Sequence, residues 1–241
     1  KYKKYFSPLL PNIIQLEYNN VDQLTKTIDS ETAAVYLEFI QGEGGVKVAS
    51  NEFVTKLKAL KNRFNFILVA DEVQSGIGRT GKPFAYDHYD IKPDVVLVAK
   101  AIGGGLPLGA LITNEKYSKV LEYGDHGSTF GGNPVACAAG LPVINQVFED
   151  KLVIKVATLG DYFFHQLKNI QQDNSNKIND VRGFGFMLGV ELSQPCSRII
   201  EEFRMKEILV NCASENVVRI LPPLISEKED IDHFLEAFKN L

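Results

Sequence analysis

The stretch DVVLVAKAIGGGLPLGA (residues 94–110) decides how the chain is read. Its apolar run from Val95 to Ala99 has the pattern of a strand covered on both faces in a parallel sheet, yet it stops on Lys100, which glycines follow almost at once. A buried strand has no use for that charge. Two other runs behave alike: AAVYLEF (33–39) carries Glu38 near its end and FILVADE (66–72) carries Asp71. One such ending would read as a strand leaving the core for water. Three in successive strands point to a site, because ligands of open α/β sheets sit beyond the carboxyl ends of the strands.

Working outward, Phe53, Val54, Leu57 and Leu60 recur at helical spacing behind Ser50 as a cap, which predicts a helix between the first two strands. GALIT (109–113) is a fourth strand, and GGNPVACAAGLPVINQVFED (131–150) opens a helix with Asn133 as cap and Pro134 in the first turn. Beyond it the pattern changes to a long helix ending near 171, a strand or hairpin at VRGFGFMLGVEL (181–192), a helix near 197–208, strands at 209–212 and 217–221, and a terminal helix from about 227. The expected organisation is an α/β domain over 1–134 followed by a smaller α+β domain over 135–241.

Composition narrows the class. With 241 residues, 45% hydrophobic and 23% charged, the chain reads as an ordinary globular protein. A net charge of −4 gives no footprint for nucleic acid or an anionic membrane, and no apolar stretch approaches the roughly 20 residues of a membrane span. The three cysteines, Cys137, Cys196 and Cys212, form no CxxC and no metal-type pairing with the four histidines. This predicts no metal, no disulfide framework and a reducing, cytoplasmic setting, with the mitochondrial matrix as the eukaryotic equivalent. His88, His165 and His233 read as surface or helix-face residues. The opening KYKKYFSPLLP does not read as a natural start, so an upstream part is expected.

Two glycine patterns compete in GIGRTGKP (76–83). Gly76, Gly78 and Gly81 satisfy GxGxxG, but the next strand ends in Lys100 where a ribose-binding acid is wanted; Gly76–Lys82 matches the start of a P-loop, but Pro83 replaces the Mg²⁺-binding hydroxyl. A lysine and an aspartate at neighbouring strand ends suit pyridoxal 5'-phosphate (PLP) better. Lysine forms a Schiff base with that cofactor, and an ionised acid keeps its ring nitrogen protonated. The same lysine, once released, can serve as the base that moves a proton.

At this point the sequence resembles the class III (ornithine-type) aminotransferases. LEFIQGEGGV (37–46), VADEVQSGIGRTG (69–81), DVVLVAKAIGGGLPLGA (94–110), HGSTFGGNP (126–134) and VVRILPPL (217–224) occur in that family's order and spacing over essentially the whole chain. The resemblance implies fold-type-I architecture, a mostly parallel large-domain sheet, here incomplete, with a C-terminal α+β small domain. It also implies a PLP site at Asp71, Glu72, Val73, Gln74, Lys100 and Thr129. Asp71 would pair with the ring nitrogen, Val73 pack on the ring face and Gln74 bond the phenolic oxygen. Lys100 would form the Schiff base. Ser128 and Thr129 would be presented across a homodimer interface, Thr129 to the phosphate of the neighbouring subunit's cofactor. Arg219 would grip the α-carboxylate of glutamate or 2-oxoglutarate, Glu43 would pair with Arg219 when the other substrate is bound, and Glu38 would lie beside the site in a supporting role.

Within the family, LVNCASENVVRILPPL (209–224) is most similar to acetylornithine aminotransferases of arginine biosynthesis, with ornithine aminotransferase next and 4-aminobutyrate-type enzymes behind. The implied reaction takes N2-acetylornithine and 2-oxoglutarate to the semialdehyde and glutamate. Phe39 stands where the family has Pro, and Pro142 falls inside the helix begun at 134. The family's upstream phosphate-binding turn, ring-stacking aromatic and acetylornithine-binding Arg find no counterpart. The opposing reading is a non-catalytic remnant serving as a binding or assembly module.

Overall fold

The computed structural model describes residues 2–149 and 151–239. Its elements, in chain order, are α1 (Val21–Thr27), β1 (Ala34–Leu37), β2 (Ile40–Gln41), β3 (Lys47–Val48), α2 (Asn51–Phe64), β4 (Ile67–Asp71), β5 (Val95–Val98), β6 (Ala110–Thr113), α3 (Pro134–Phe148), α4 (Leu152–Asp173), β7 (Ile178–Phe184), β8 (Met187–Leu192), α5 (Ser197–Met205), β9 (Asn211–Ala213), β10 (Val217–Ile220) and α6 (Lys228–Lys239).

One sheet runs β1-β4-β5-β6, with β1, β4 and β5 parallel and β6 antiparallel to β5. The parallel register pairs Leu37 with Ala70 and Asp71 with Leu97, so the three predicted strands end on one side. Helix α2 forms as its spacing predicts: Ser50 Oγ accepts the Phe53 amide, Asn65 ends the helix in the left-handed conformation, and Phe53, Val54, Leu57 and Leu60 are buried. Its last turn is tied to the sheet through Lys61 and Asp94, and Asp94 also accepts the Leu68 amide at 2.8 Å.

The second sheet, β7-β8-β10-β9, is antiparallel throughout. Phe163, Leu167 and Ile170 of α4 and Phe234, Leu235 and Phe238 of α6 cluster with Val181, Leu188, Val190, Val218 and Ile220 of that sheet. Helix α3 lays Val143, Ile144 and Val147 on the first cluster instead, and Leu152 packs on both, so the two cores change over at the start of α4.

Several expectations are corrected by packing. Cys196 and Cys212 form a disulfide, Cα atoms 6.1 Å apart, which joins the start of α5 to β9 and removes cysteine usage as an argument for a reducing compartment. Their 16-residue separation carried no motif, and only the fold brings them together. His88, at the end of a short 3-10 helix, is half-buried rather than free on the surface: its ring stacks on Phe184 at 4.3 Å, and Nε2 sits 3.1 Å from both the carbonyl and the hydroxyl of Thr80. Phe39 is fully buried against Tyr86 and Tyr89, so the apolar ring fills the core while its chain still enters β2. Pro142 lies on the exposed side of α3, and the helix runs through it.

The glycines of 76–83 serve packing. A Cβ on Gly81 would lie 2.8 Å from Ala157, and one on Gly185, at the β7–β8 turn, would lie 2.4 Å from the Thr80 carbonyl carbon. These glycines let the loop, the hairpin and α4 approach backbone to backbone.

Candidate active site

Asp71 closes β4, Glu38 follows β1, and Lys100 follows β5 at the head of a 3-10 turn, Lys100–Gly103. Lys100 has φ of 54°, a left-handed conformation uncommon outside glycine that turns the chain sharply at the end of the strand. Both Asp71 oxygens are engaged: Oδ1 accepts the Val73 amide at 3.0 Å and Oδ2 accepts the Tyr36 hydroxyl at 2.7 Å. Glu38 is half-buried. Burial raises its carboxyl above the usual carboxylate range, the Gly42 amide opposes that rise, and the charges of Asp71 and Lys100 act on it in opposite directions.

The turn between β2 and β3 carries Glu43 to β10. Arg219 Nη1 donates to Glu43 Oε1 at 2.7 Å and to Gln74 Oε1 at 3.1 Å, Gln74 Nε2 donates to the same Glu43 oxygen at 3.2 Å, and Arg219 Nε donates to Asn211 Oδ1 at 3.2 Å. The Arg219 bond first, then the Gln74 bond, lowers the Glu43 carboxyl below its ordinary value. A Cβ on Gly42 would fall 2.1 Å from Gln74 Oε1, so only glycine leaves Gln74 where it reaches both partners. Arg182 braces the same turn from the second sheet: its Nε and Nη2 donate to the Gly45 carbonyl at 3.0 and 2.8 Å, while Nη1 reaches Asp180 and Glu191.

The structure therefore gathers Glu38, Asp71, Val73, Gln74, Lys100, Glu43 and Arg219 around one end of the parallel strands. Glu72 is set apart from them. Its side chain is buried, bonded to the Ser75 hydroxyl and to the Ala85 and Tyr86 amides, and its carboxyl is raised chiefly by burial, so it fastens the 72–86 loop. Ser128 and Thr129 lie on the exposed turn before α3, flanked by exposed Tyr123 and Phe130. Sequence reasoning missed Tyr36 and Asn211. Tyr36 reads as one more apolar strand residue, although it stands on β1 two positions before Glu38. Asn211 carries no local signal and becomes visible only in its pairing with Arg219 across β9 and β10.

Comparison with known proteins identifies the family. The family model described as aminotransferase class-III matches residues 1–241. The chain is 43% identical over 240 residues to an acetylornithine aminotransferase of Methanocaldococcus jannaschii, covering 98% of this chain and 59% of that protein. It is 42% identical over 237 residues to ornithine aminotransferase 1 of Staphylococcus saprophyticus, covering 98% and 59%. The ornithine aminotransferase of Toxoplasma gondii, a solved structure with partial occupancy of PLP at its active site, superposes with a TM-score of 0.92 at 30% identity, covering 98% of this chain and 57% of that one. The chain thus spans about 60% of the length of these relatives. A match along its full length, carried on the fold-type-I scaffold, means that the chain belongs to the class-III aminotransferases, a PLP-dependent family.

Proposed function

We propose that the protein transfers an amino group from N2-acetylornithine to 2-oxoglutarate, the aminotransferase step of arginine biosynthesis, with PLP as cofactor and the cytoplasm as its setting. The observation that carries this reading is the Arg219–Glu43 pair: a nearly buried guanidinium, suited by its planar fork to a carboxylate, is occupied by an exposed carboxylate that a substrate can displace.

The residues present fit the cofactor. Lys100 supplies a primary amine, and Asp71 supplies an acid whose two oxygens are already oriented by Val73 and Tyr36. When bound, PLP supplies a ring that withdraws electrons from the substrate carbon that loses its proton. Asp71 would hold a proton on the ring nitrogen. Lys100 anchors the cofactor and afterwards moves the substrate proton through Nζ. Val73 would pack on the ring and Gln74 would bond its phenolic oxygen, and Gln74 itself is bonded to Arg219 and Glu43. Arg219 grips the α-carboxylate of glutamate or 2-oxoglutarate, and Glu43 returns to Arg219 when acetylornithine is bound. Ser128 and Thr129 serve the partner subunit of a homodimer; the exposed apolar side chains around their turn suit burial at such an interface.

The test is turnover by the cofactor-loaded protein with 2-oxoglutarate as acceptor and acetylornithine, ornithine or 4-aminobutyrate as donor. The largest kcat/KM is expected for acetylornithine. A preference for ornithine, the substrate in the name of the Staphylococcus saprophyticus relative, would move the assignment to that reaction. A protein that holds the cofactor and turns over none of them would support the binding-module reading.

A further inference from the structure

Tyr36 lies on β1 opposite Val69 in the parallel register, two strand positions before the level of Asp71, so its side chain shares the sheet face of Val69 and Asp71. The residue is 60% exposed, and burial of its ring does not account for its placement. The anchored part is the hydroxyl, which donates to Asp71 Oδ2 at 2.7 Å while the Val73 amide holds Oδ1 at 3.0 Å. A carboxylate gripped by one donor can rotate about its Cβ–Cγ bond; one gripped at both oxygens from two different strand ends cannot rotate without losing a bond.

We infer that Tyr36 is a positioning residue for Asp71: its hydroxyl fixes the carboxylate's rotation and draws off part of its negative charge, and thereby sets how strongly Asp71 acts on the cofactor ring nitrogen. The second half of this inference rests on the functional reading above; the first half does not. Burial first, then the Asp71 hydrogen bond and the charges of Asp71 and Glu38, pushes the Tyr36 hydroxyl up to about 12, so it remains a protonated donor at any working pH. The other charged groups of the site are Glu38 beyond β1, Lys100 beyond β5, Glu43 in the β2–β3 turn and Arg219 of β10, which is paired with Glu43.

Two experiments test the inference. In the cofactor-free protein, with ring-labelled tyrosine assigned by Tyr36→Phe, the NMR titration midpoint of Tyr36 falls by about half a pH unit or more in Asp71→Asn, because a charge and a strong acceptor are removed. Tyr89, whose hydroxyl is raised to about 12 by burial alone, stays in place and serves as the control. A Tyr36 midpoint that does not move, or moves together with Tyr89, overturns the link to Asp71. In the cofactor-loaded protein, the pH midpoint of the bound cofactor's absorbance change is the second readout. Tyr36→Phe leaves more negative charge on Asp71, and the midpoint rises; 3-fluorotyrosine at position 36, a stronger donor of nearly the same shape, lowers it. Shifts in the same direction, or none in either variant, overturn the tuning role. Failure to bind PLP at all would count against the functional reading and would leave the first titration to decide the Tyr36–Asp71 relationship.

Discussion

Arg219 and Glu43 are 176 residues apart in the chain and meet at 2.7 Å, with side-chain exposures of 9% and 63%. The pair is asymmetric. Arg219 is fixed by β10 and by Asn211, whereas Glu43 stands on a turn open to water and loses little by leaving. In the proposed exchange of carboxylates Arg219 is therefore the stationary half.

Arg219→Ala is expected to weaken the 2-oxoglutarate half-reaction by about 2–5 kcal/mol in binding and to leave the acetylornithine half-reaction nearly unchanged. Glu43, being exposed, resolvates once Arg219 is gone, so the fold should not carry the loss. Stopped-flow measurement of each half-reaction separately reads the difference, and equal losses in both would contradict the exchange.

Gly42 and Gly185 separate function from stability. In Gly42→Ala the new Cβ collides with the end of a flexible side chain, Gln74 Oε1 at 2.1 Å, so Gln74 swings away and the thermal midpoint barely moves while dicarboxylate binding weakens. In Gly185→Ala the collision is with backbone, the Thr80 carbonyl carbon at 2.4 Å, at a residue with φ of 53°, and about 3 kcal/mol of stability should be lost. Thermal melts and 2-oxoglutarate titrations of the two variants are expected to give opposite patterns.

What the sequence made legible, and what it hid, follows from range. Val95–Ala99 and its sister runs announce parallel strands because burial on both faces leaves an apolar signature in consecutive residues. Ser50 and Asn133 announce helix starts because capping acts over three residues. The Cys196–Cys212 pair, the His88–Phe184 stack and the Asn211–Arg219 bond depend on how two distant segments dock, and no local spacing encodes that. Glu72 shows the converse: its place between Asp71 and Val73 in a strong motif implies the cofactor, but its carboxylate faces the loop and accepts from Ser75, Ala85 and Tyr86.

If Thr129 serves the partner's cofactor, Lys100→Ala and Thr129→Ala complement each other. In a mixed dimer one site receives both lesions and the other receives neither, so co-assembly of equal amounts restores about a quarter of wild-type activity. Activity after unfolding and reassembly of the mixed variants, compared with each alone, measures this. No recovery would place Thr129 and Lys100 in the same subunit's site.

His88 gives the protein a pH dependence of predictable sign. Burial, and the nearby charge of Lys82, lower its imidazole pKa below the ordinary value of 6.5, against the Thr80 contact and the charges of Asp87 and Asp161. The folded state therefore prefers the neutral ring, and the unfolded state binds a proton more readily. The contribution is fully present above about pH 6.5 and is lost as pH falls through that value toward the lower folded pKa, with a slope of at most about 1.4 kcal/mol per pH unit for one proton. Glu38 and Glu72, whose carboxyls are raised, act in the opposite sense and remain in both proteins when wild type is compared with His88→Gln. Urea unfolding between pH 7 and 5.5 is expected to show wild type losing stability faster than the variant. Parallel pH profiles for the two would mean that the His88 ring carries no proton-linked stability.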